Sequence, residues 1–392
     1  MRRVLLVSLI LAVSCSGGRV DVKNIVSTAE RQCLLMEKSL SDSTMPKTFQ
    51  GDTLVTSSLS WWCSGFFPGT CWFTYMVGGN EEIRNLAVEQ TAKLLDVDKL
   101  CKDHDIGFQV MCSAGLAYKE TGDSLYLPTI RAGAEKLAAR FSPVTGVIQS
   151  WTWDKYNYPV IIDNMMNLEL LTYASALFDV PVWKEIAITH AQTTMKNHFR
   201  DDYSSYHVVD YNPDDGTVVK KQTAQGYSDE SSWARGQAWA LYGYTLMYRE
   251  TRLSEFLDQA EPVAGYMLPL LKNRPVPAWD FCAPEESIRQ DDASAAAIMA
   301  SAFLELSMFT HDSQASGVYR RQGEVILSTL SSDRYLCRPG ECGGFLLKHS
   351  TGNHPKSSEV DVPLSYADYY YMEALYRYCR LSGHPNNPHI RN

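Results

Sequence analysis

Two short segments each set carboxylates among apolar neighbours: Asp103-His104-Asp105-Ile106-Gly107-Phe108 and Ile161-Ile162-Asp163-Asn164-Met165-Met166-Asn167-Leu168. Asp163 and Asn167 lie four apart, hence on one face of a helix, and Met166 and Leu170 continue nearly the same stripe toward an interior. A carboxylate at the mouth of an apolar stripe is desolvated. Its pKa should rise, which is what a general acid working near neutrality needs. The competing use of such residues is helix capping, in which the carboxylate accepts backbone N–H groups. Capping is the preferred reading for Asp103 and a site role for Asp105, next to His104 and ahead of Gly107; for Asp163 both readings stay open.

A third segment, Ser232-Trp233-Ala234-Arg235-Gly236-Gln237-Ala238-Trp239, places a guanidinium and an indole four apart. One helical face could then hold a carboxylate and a sugar ring together. Core packing of Trp239 beside a solvated Arg235 is the plain alternative. The fourth, Trp61-Trp62-Cys63-Ser64-Gly65-Phe66-Phe67-Pro68-Gly69, is an aromatic turn before a helix, and aromatics of that kind are more often core than ligand platform.

These residues need a scaffold, and the patterning around them is helical. In the stretch 123–141, Leu127, Ile130, Ala134, Leu137 and Phe141 step by three or four, and so do Met166, Leu170, Tyr173 and Leu177. Met299, Phe303 and Leu306 behave likewise, as do Ala367, Tyr371 and Leu375, while period-two runs are few and short. YKETGDSLYL, SALFDVPVWKE, YRETRLSEFL and MFTHDSQASGVYR read as turns between helices, recurring at about the length of two helices with their loops. About twelve helices of ordinary length fit, with no Pro-rich or Gly/Ser-rich linker. The expectation is an all-α chain with small hairpins at most, its helical hairpins closing into an α/α toroid; an open superhelix is the alternative. The stretches 144–162 and 200–233, the second carrying His207, Asp210, Gln225 and Asp229, read as long rim loops.

A net charge of −9 leaves no broad basic face for nucleic acid, so no nucleic-acid partner is expected, and an anionic ligand would need local cations. The 22 Tyr and 9 Trp suit sugar faces, although large folds bury such rings without any ligand. MRRVLLVSLILAVSC has the arginines, short apolar run and small residues of an export signal, too short to span a membrane. Cys15 at its end is similar to a lipoprotein cleavage site, which makes residues 1–15 a signal peptide and the mature chain periplasmic or membrane-anchored in a bacterium. The only membrane association expected is through that lipid. Cys337 and Cys342 could close a small loop around RPGE, and the other cysteines read as buried small hydrophobes with no zinc-type spacing.

Taken in order, HDIGF, IIDNMMN, SWARGQAW and the terminal EVDVPLSYADYYYMEAL resemble the unsaturated glucuronyl hydrolases of glycoside hydrolase family 88, from about Trp61 to Tyr378. The resemblance implies an (α/α)6 barrel as a single catalytic domain over 22–385, with no metal or organic cofactor. It implies Asp163 as general acid/base and Asp105 as the second essential carboxylate. It places Trp62, His104, Trp151, His207, Gln225, Trp233, Arg235 and Trp239 in the substrate pocket. The chain departs from the family pattern at Cys63-Ser64, where Thr-Asp is familiar, and between Trp151 and Asp163, where the segment is short.

The implied partner is an unsaturated uronyl oligosaccharide. Its C4=C5 double bond is part of an enol ether; protonation at C4 and addition of water at C5 give a hemiketal that opens and releases the glycosidic bond. Lys356, with Ser357 and Ser358, could meet a sulfate on the next sugar, against a solvated loop as the plain reading. The resemblance also leaves an unsaturated rhamnogalacturonyl hydrolase as a neighbouring activity. Two other classes are a non-catalytic glycan-capture lipoprotein, which would not need both aspartates, and a sugar epimerase, which would need a pair of histidine bases.

Overall fold

The computed structural model describes residues 20–284 and 290–383. The expected signal segment 1–15, with Cys15, lies outside them. In chain order the helices are α1 (Val22–Glu37), α2 (Phe66–Gly78), α3 (Glu81–Ala92), α4 (Val97–Leu100), α5 (Ile106–Val110), α6 (Leu116–Thr121) and α7 (Leu127–Ala138). They continue as α8 (Asn164–Phe178), α9 (Pro181–Asn197), α10 (Ala234–Thr251), α11 (Ser254–Leu271), α12 (Ala293–Leu306), α13 (Ser313–Leu330) and α14 (Ser365–Leu381). A π-helical turn over Met111–Gly115 makes α5 and α6 one continuous rod.

Burial sorts these helices into two rings. In α12 all fourteen residues are buried, in α10 everything from Ala234 to Tyr248, and in α2 everything but Gly78. A helix apolar all round belongs inside. By contrast α7 buries one stripe, including Ile130, Ala134 and Leu137, as the stepping of its apolar residues predicts. The inner helices touch in a closed circuit: α2 to α5–α6, then α8, α10, α12, α14 and back to α2. Each is preceded by an outer partner, α1, α3, α7, α9, α11 and α13, which gives the (α/α)6 barrel expected from the hairpin count.

The two ends of the barrel differ. Tight turns join inner to outer helices at one end, with left-handed residues at Gly79, Gly122, Asp179 and Arg252 closing α2, α6, α8 and α10. The last three fall within joints legible in the sequence. Charged residues at this end link neighbouring inner helices: Lys119 to Glu169 at 2.7 Å, Arg249 to Glu169 at 2.9 Å and to Glu305 at 2.7 Å, and Arg377 to Glu305 at 3.1 Å.

At the other end, where the inner helices begin, the strands gather. They are β1 (Thr44–Gln50), β2 (Thr53–Ser58), β3 (Phe141–Ser142), β4 (Val147–Ile148), β5 (Pro159–Ile161), β6 (Val208–Tyr211), β7 (Val218–Gln222), β8 (Ser350–Asn353) and β9 (Ser358–Val362). The segments expected to be long loops are thus partly sheet: β5, β6 and β7 pair antiparallel in that order. Val147, Val160, Val209 and Tyr211 give this sheet its own small apolar cluster, which is why it forms. Pairing of Ile161 with Val208 sets the next residues toward the bore, Asp163 following β5 and His207 preceding β6. Cys337 and Cys342 form a disulfide around the RPGE turn. Among the described residues no helix is long and apolar enough to cross a membrane.

Candidate active site

Asp163 occupies the N-cap position of α8, yet its side chain makes no capping hydrogen bond. It turns instead to the bore, with 15% of the side chain exposed and Oδ2 without a hydrogen-bond partner among the described residues. Burial raises its pKa to about 7, against the pull of the Arg235 charge and the Trp239 side chain. A carboxyl group titrating there is protonated often enough near neutrality to give up a proton and take one back.

Asp105 stands just before α5 and likewise caps nothing. Asp103, expected to cap this helix, does not: it accepts the Asp105 N–H at 3.0 Å in the turn just ahead of α5, which has no side-chain cap. Burial, with repulsion from Asp103 and then Asp163, drives the Asp105 pKa well above the carboxylate range. His104, fully buried, sits with Nε2 3.5 Å from Asp105 Oδ1 and is pushed down to about 4 by burial.

Asn167 ties the two aspartate-bearing helices together. Its Oδ1 accepts the Phe108 N–H at 2.9 Å, and its Nδ2 lies 3.2 Å from His104 Nδ1. Gly107 permits the approach, since a Cβ there would come within 2.6 Å of Asn167 Cα.

Arg235 is placed by α10 in the buried wall, its guanidinium 4.6 Å from the Trp233 ring centroid and 5.3 Å from that of Tyr366. Its terminal nitrogens are spent on the protein. Nη1 bonds Asp292 Oδ2 at 3.0 Å and the Thr351 carbonyl, while Nη2 bonds Gln225 Oε1 at 3.0 Å and the Gly352 carbonyl at 2.6 Å. The expected open fork for a carboxylate is therefore a clamp on Gln225 and the β8–β9 hairpin, and what reaches the bore is its charge.

Aromatic rings complete the walls. Trp233 packs on His207 at 4.4 Å between centroids, and Trp151 meets His207 edge-on at 6.3 Å. Trp239 is buried against Phe108 and Tyr370, and Trp62, half-buried, leans on Tyr366 at 4.9 Å. Outward from Trp151, the exposed Trp153 stacks flat on it at 4.3 Å. Lys356 reaches from the β8–β9 turn to within 5.9 Å of the Trp153 ring, with Ser357 and Ser358 exposed on the same turn.

Residues 36–274 match the model of Glycosyl Hydrolase Family 88. The chain belongs to that family. A relative described as an unsaturated glucuronyl hydrolase, from Formosa agariphila, is 42% identical over 81% of this chain and 79% of its own length. An unsaturated chondroitin disaccharide hydrolase of Streptococcus pneumoniae is 31% identical over 86% of each. A crystal structure of an unsaturated glucuronyl hydrolase specific for heparin superposes with a TM-score of 0.89 at 42% identity, covering 95% of this chain and 99% of that one.

Several residues around this family 88 site escaped the sequence reading. Asp292 is one: it caps α12, accepting from Ser294 and Ala295 N–H, and also anchors Arg235. Asp-Ala-Ser before an alanine-rich run signals the cap, but nothing local signals a partner 57 positions away. Trp153 and Tyr366 were visible only as aromatics in aromatic-rich segments. Asn167 was placed on the right face of α8 without its role as the strut between α8 and α5.

Proposed function

We propose that this chain releases the non-reducing Δ4,5-unsaturated uronic acid from lyase-generated glycosaminoglycan fragments by hydrating its C4=C5 bond. The observation that carries this reading is Asp163, a buried carboxyl raised to about 7 and free of any capping role. Protonated, Asp163 gives its proton to C4, and the enol ether becomes a cation shared between C5 and the ring oxygen. The carboxylate left behind then takes a proton from the water that bonds to C5. The hemiketal formed at C5 opens by breaking its bond to the ring oxygen, and the hemiacetal left at C1 expels the next sugar as an alcohol. One water is consumed and Asp163 ends protonated as it began.

Asp105, kept protonated by its burial, holds ring hydroxyls beside the reacting carbons. Trp62, Trp151 and Trp233 wall the sugar with the fully buried Trp239 packed behind them, and the buried Arg235 charge favours an anionic uronate. Relatives whose names specify chondroitin disaccharide and heparin support a glycosaminoglycan source, and Lys356 beside Trp153 suits a sulfate on the following sugar. The segment 1–15 supports export with lipid attachment at Cys15; a soluble, unmodified mature chain in the producing bacterium would refute that part.

The test is a panel of unsaturated chondroitin, heparin and pectin disaccharides, followed by loss of the enol ether absorbance with wild type and Asp163→Asn. Turnover of the glycosaminoglycan disaccharides by wild type, abolished in the variant, is expected. Turnover of the pectin disaccharide alone, or full activity of the variant, would overturn the reading.

A further inference from the structure

The two ring nitrogens of His207 have opposite surroundings. Nδ1 receives the backbone N–H groups of Ala224 at 3.1 Å and Gln225 at 3.2 Å, with Thr223 Oγ1 at 3.5 Å. A backbone amide cannot turn its hydrogen away, so Nδ1 must present a lone pair. In a neutral imidazole the hydrogen then sits on Nε2. The ring stays neutral: its side chain is 1% exposed, and burial holds its pKa down to about 3, helped by the charges of Arg235 and Lys155 and by the nearby His198. Trp233 against its face and Trp151 at its edge leave it no freedom to rotate.

This fixed Nε2–H finds no acceptor among the described residues. Nε2 of His207 and Oδ2 of Asp163 are both buried, neither has a hydrogen-bond partner among the described residues, and they lie 3.8 Å apart. That separation is too long for a direct hydrogen bond and is spanned by one oxygen atom about 2.8 Å from each. A buried polar group left without a partner costs about 1–3 kcal/mol, so two such atoms facing each other call for a ligand atom between them.

We propose that His207 Nε2–H and Asp163 Oδ2 together hold the oxygen of the water that adds to C5 of the unsaturated uronate. The water accepts the His207 N–H with one lone pair and donates one hydrogen to Asp163. Its other lone pair forms the bond to C5 once Asp163 has protonated C4, and its hydrogen passes to Asp163 as that bond forms. His207 gains and loses no proton. It is a donor that aims the nucleophile, not a base, and the role rests on the hydration reading above.

The test uses His207→Ala and His207→Gln on the unsaturated chondroitin disaccharide, with nitrogen-15 NMR of the wild-type histidines between pH 5 and 8. Loss of a preorganised donor predicts a fall in kcat of about 10²–10³-fold in His207→Ala with KM little changed. The Gln amide, which retains an N–H, recovers part of that loss, and the wild-type spectrum shows His207 neutral with hydrogen on Nε2 throughout. A rise in KM at unchanged kcat would overturn the proposal, because the donor would then serve only to bind substrate. Hydrogen on Nδ1, or protonation within that pH range, would overturn it even if the variants fail to fold. Wild type inert toward every unsaturated disaccharide would instead remove the hydration reading itself.

Discussion

Replacing Asp163 with Asn should make the protein more stable and the enzyme inactive, and the size of the stabilisation should depend on pH in a calculable way. The folded-state pKa of Asp163, about 7, lies above the ordinary 3.8, so the folded protein holds this proton more tightly than the unfolded chain does. Stability is therefore greatest where Asp163 is protonated in both states and falls as pH rises from about 4 through about 7. At about 1.36 kcal/mol per pH unit, the gap from 3.8 to about 7 amounts to about 4 kcal/mol at pH 8 and about 2 kcal/mol at pH 5. Water reaching the 15% of the side chain that is exposed makes these upper figures. Asn carries no charge to desolvate and relieves the repulsion felt by Asp105, which acts in the same direction. Urea unfolding of wild type and Asp163→Asn at pH 5 and pH 8 reads the difference directly. The variant should gain about 2.6 kcal/mol more at pH 8 than at pH 5, while kcat falls by about 10²–10⁴-fold or more. In wild type, kcat/KM should decline as pH rises past about 7, because the acid must be protonated. An equal stability change at both pH values, or a wild-type profile that keeps rising to pH 9, would refute the assignment of a near-neutral acid.

The remaining predictions probe how the site is held. Gly107→Ala drives a methyl group into the Asn167 backbone and should cost about 1–3 kcal/mol in thermal or urea unfolding, with a loss of activity as α5 and Asp105 shift from α8. Asp292→Asn removes the charged partner of Arg235 and should raise KM and weaken ordering of the β8–β9 hairpin, read by steady-state kinetics and hydrogen exchange at Thr351 and Gly352. Arg377→Met, at the end of the barrel away from the site, leaves Glu305 and Glu373 short of a buried partner and should cost about 3–5 kcal/mol of stability with KM unchanged.

The helices are the most legible part of the chain, and one with a single wet face writes its period most cleanly, as α7 does with Ile130, Ala134 and Leu137. Inner helices such as α12 show the helical step too, in Met299, Phe303 and Leu306, but burial on every side adds apolar residues off that stripe, so the step does not reveal that no face is wet. The β5–β6–β7 sheet was read as loops because its strands are three to five residues long and are stabilised by partners about fifty positions away in the case of β5 and β6. At the site, Asp163 stood out through the apolar stripe behind it. Its partnership with Asp105 came from the family resemblance, since 58 positions of sequence separate them and no period links them. Arg235 shows the limit most clearly. Its position on a helical face with Trp239 suggested an open fork, whereas its four acceptors come from Gln225, Asp292 and two carbonyls of a hairpin more than a hundred residues away.

In the proposed reaction, water attacks C5 of an enol ether rather than the anomeric carbon. Single-turnover reaction of an unsaturated glycosaminoglycan disaccharide in oxygen-18 water, quenched at once with borohydride to fix the carbonyl oxygens, tests it by mass spectrometry. Hydration by Asp163 predicts the label on C5 of the reduced uronate and none in the released sugar's hydroxyl, whereas label on C1 with the double bond retained would contradict the account.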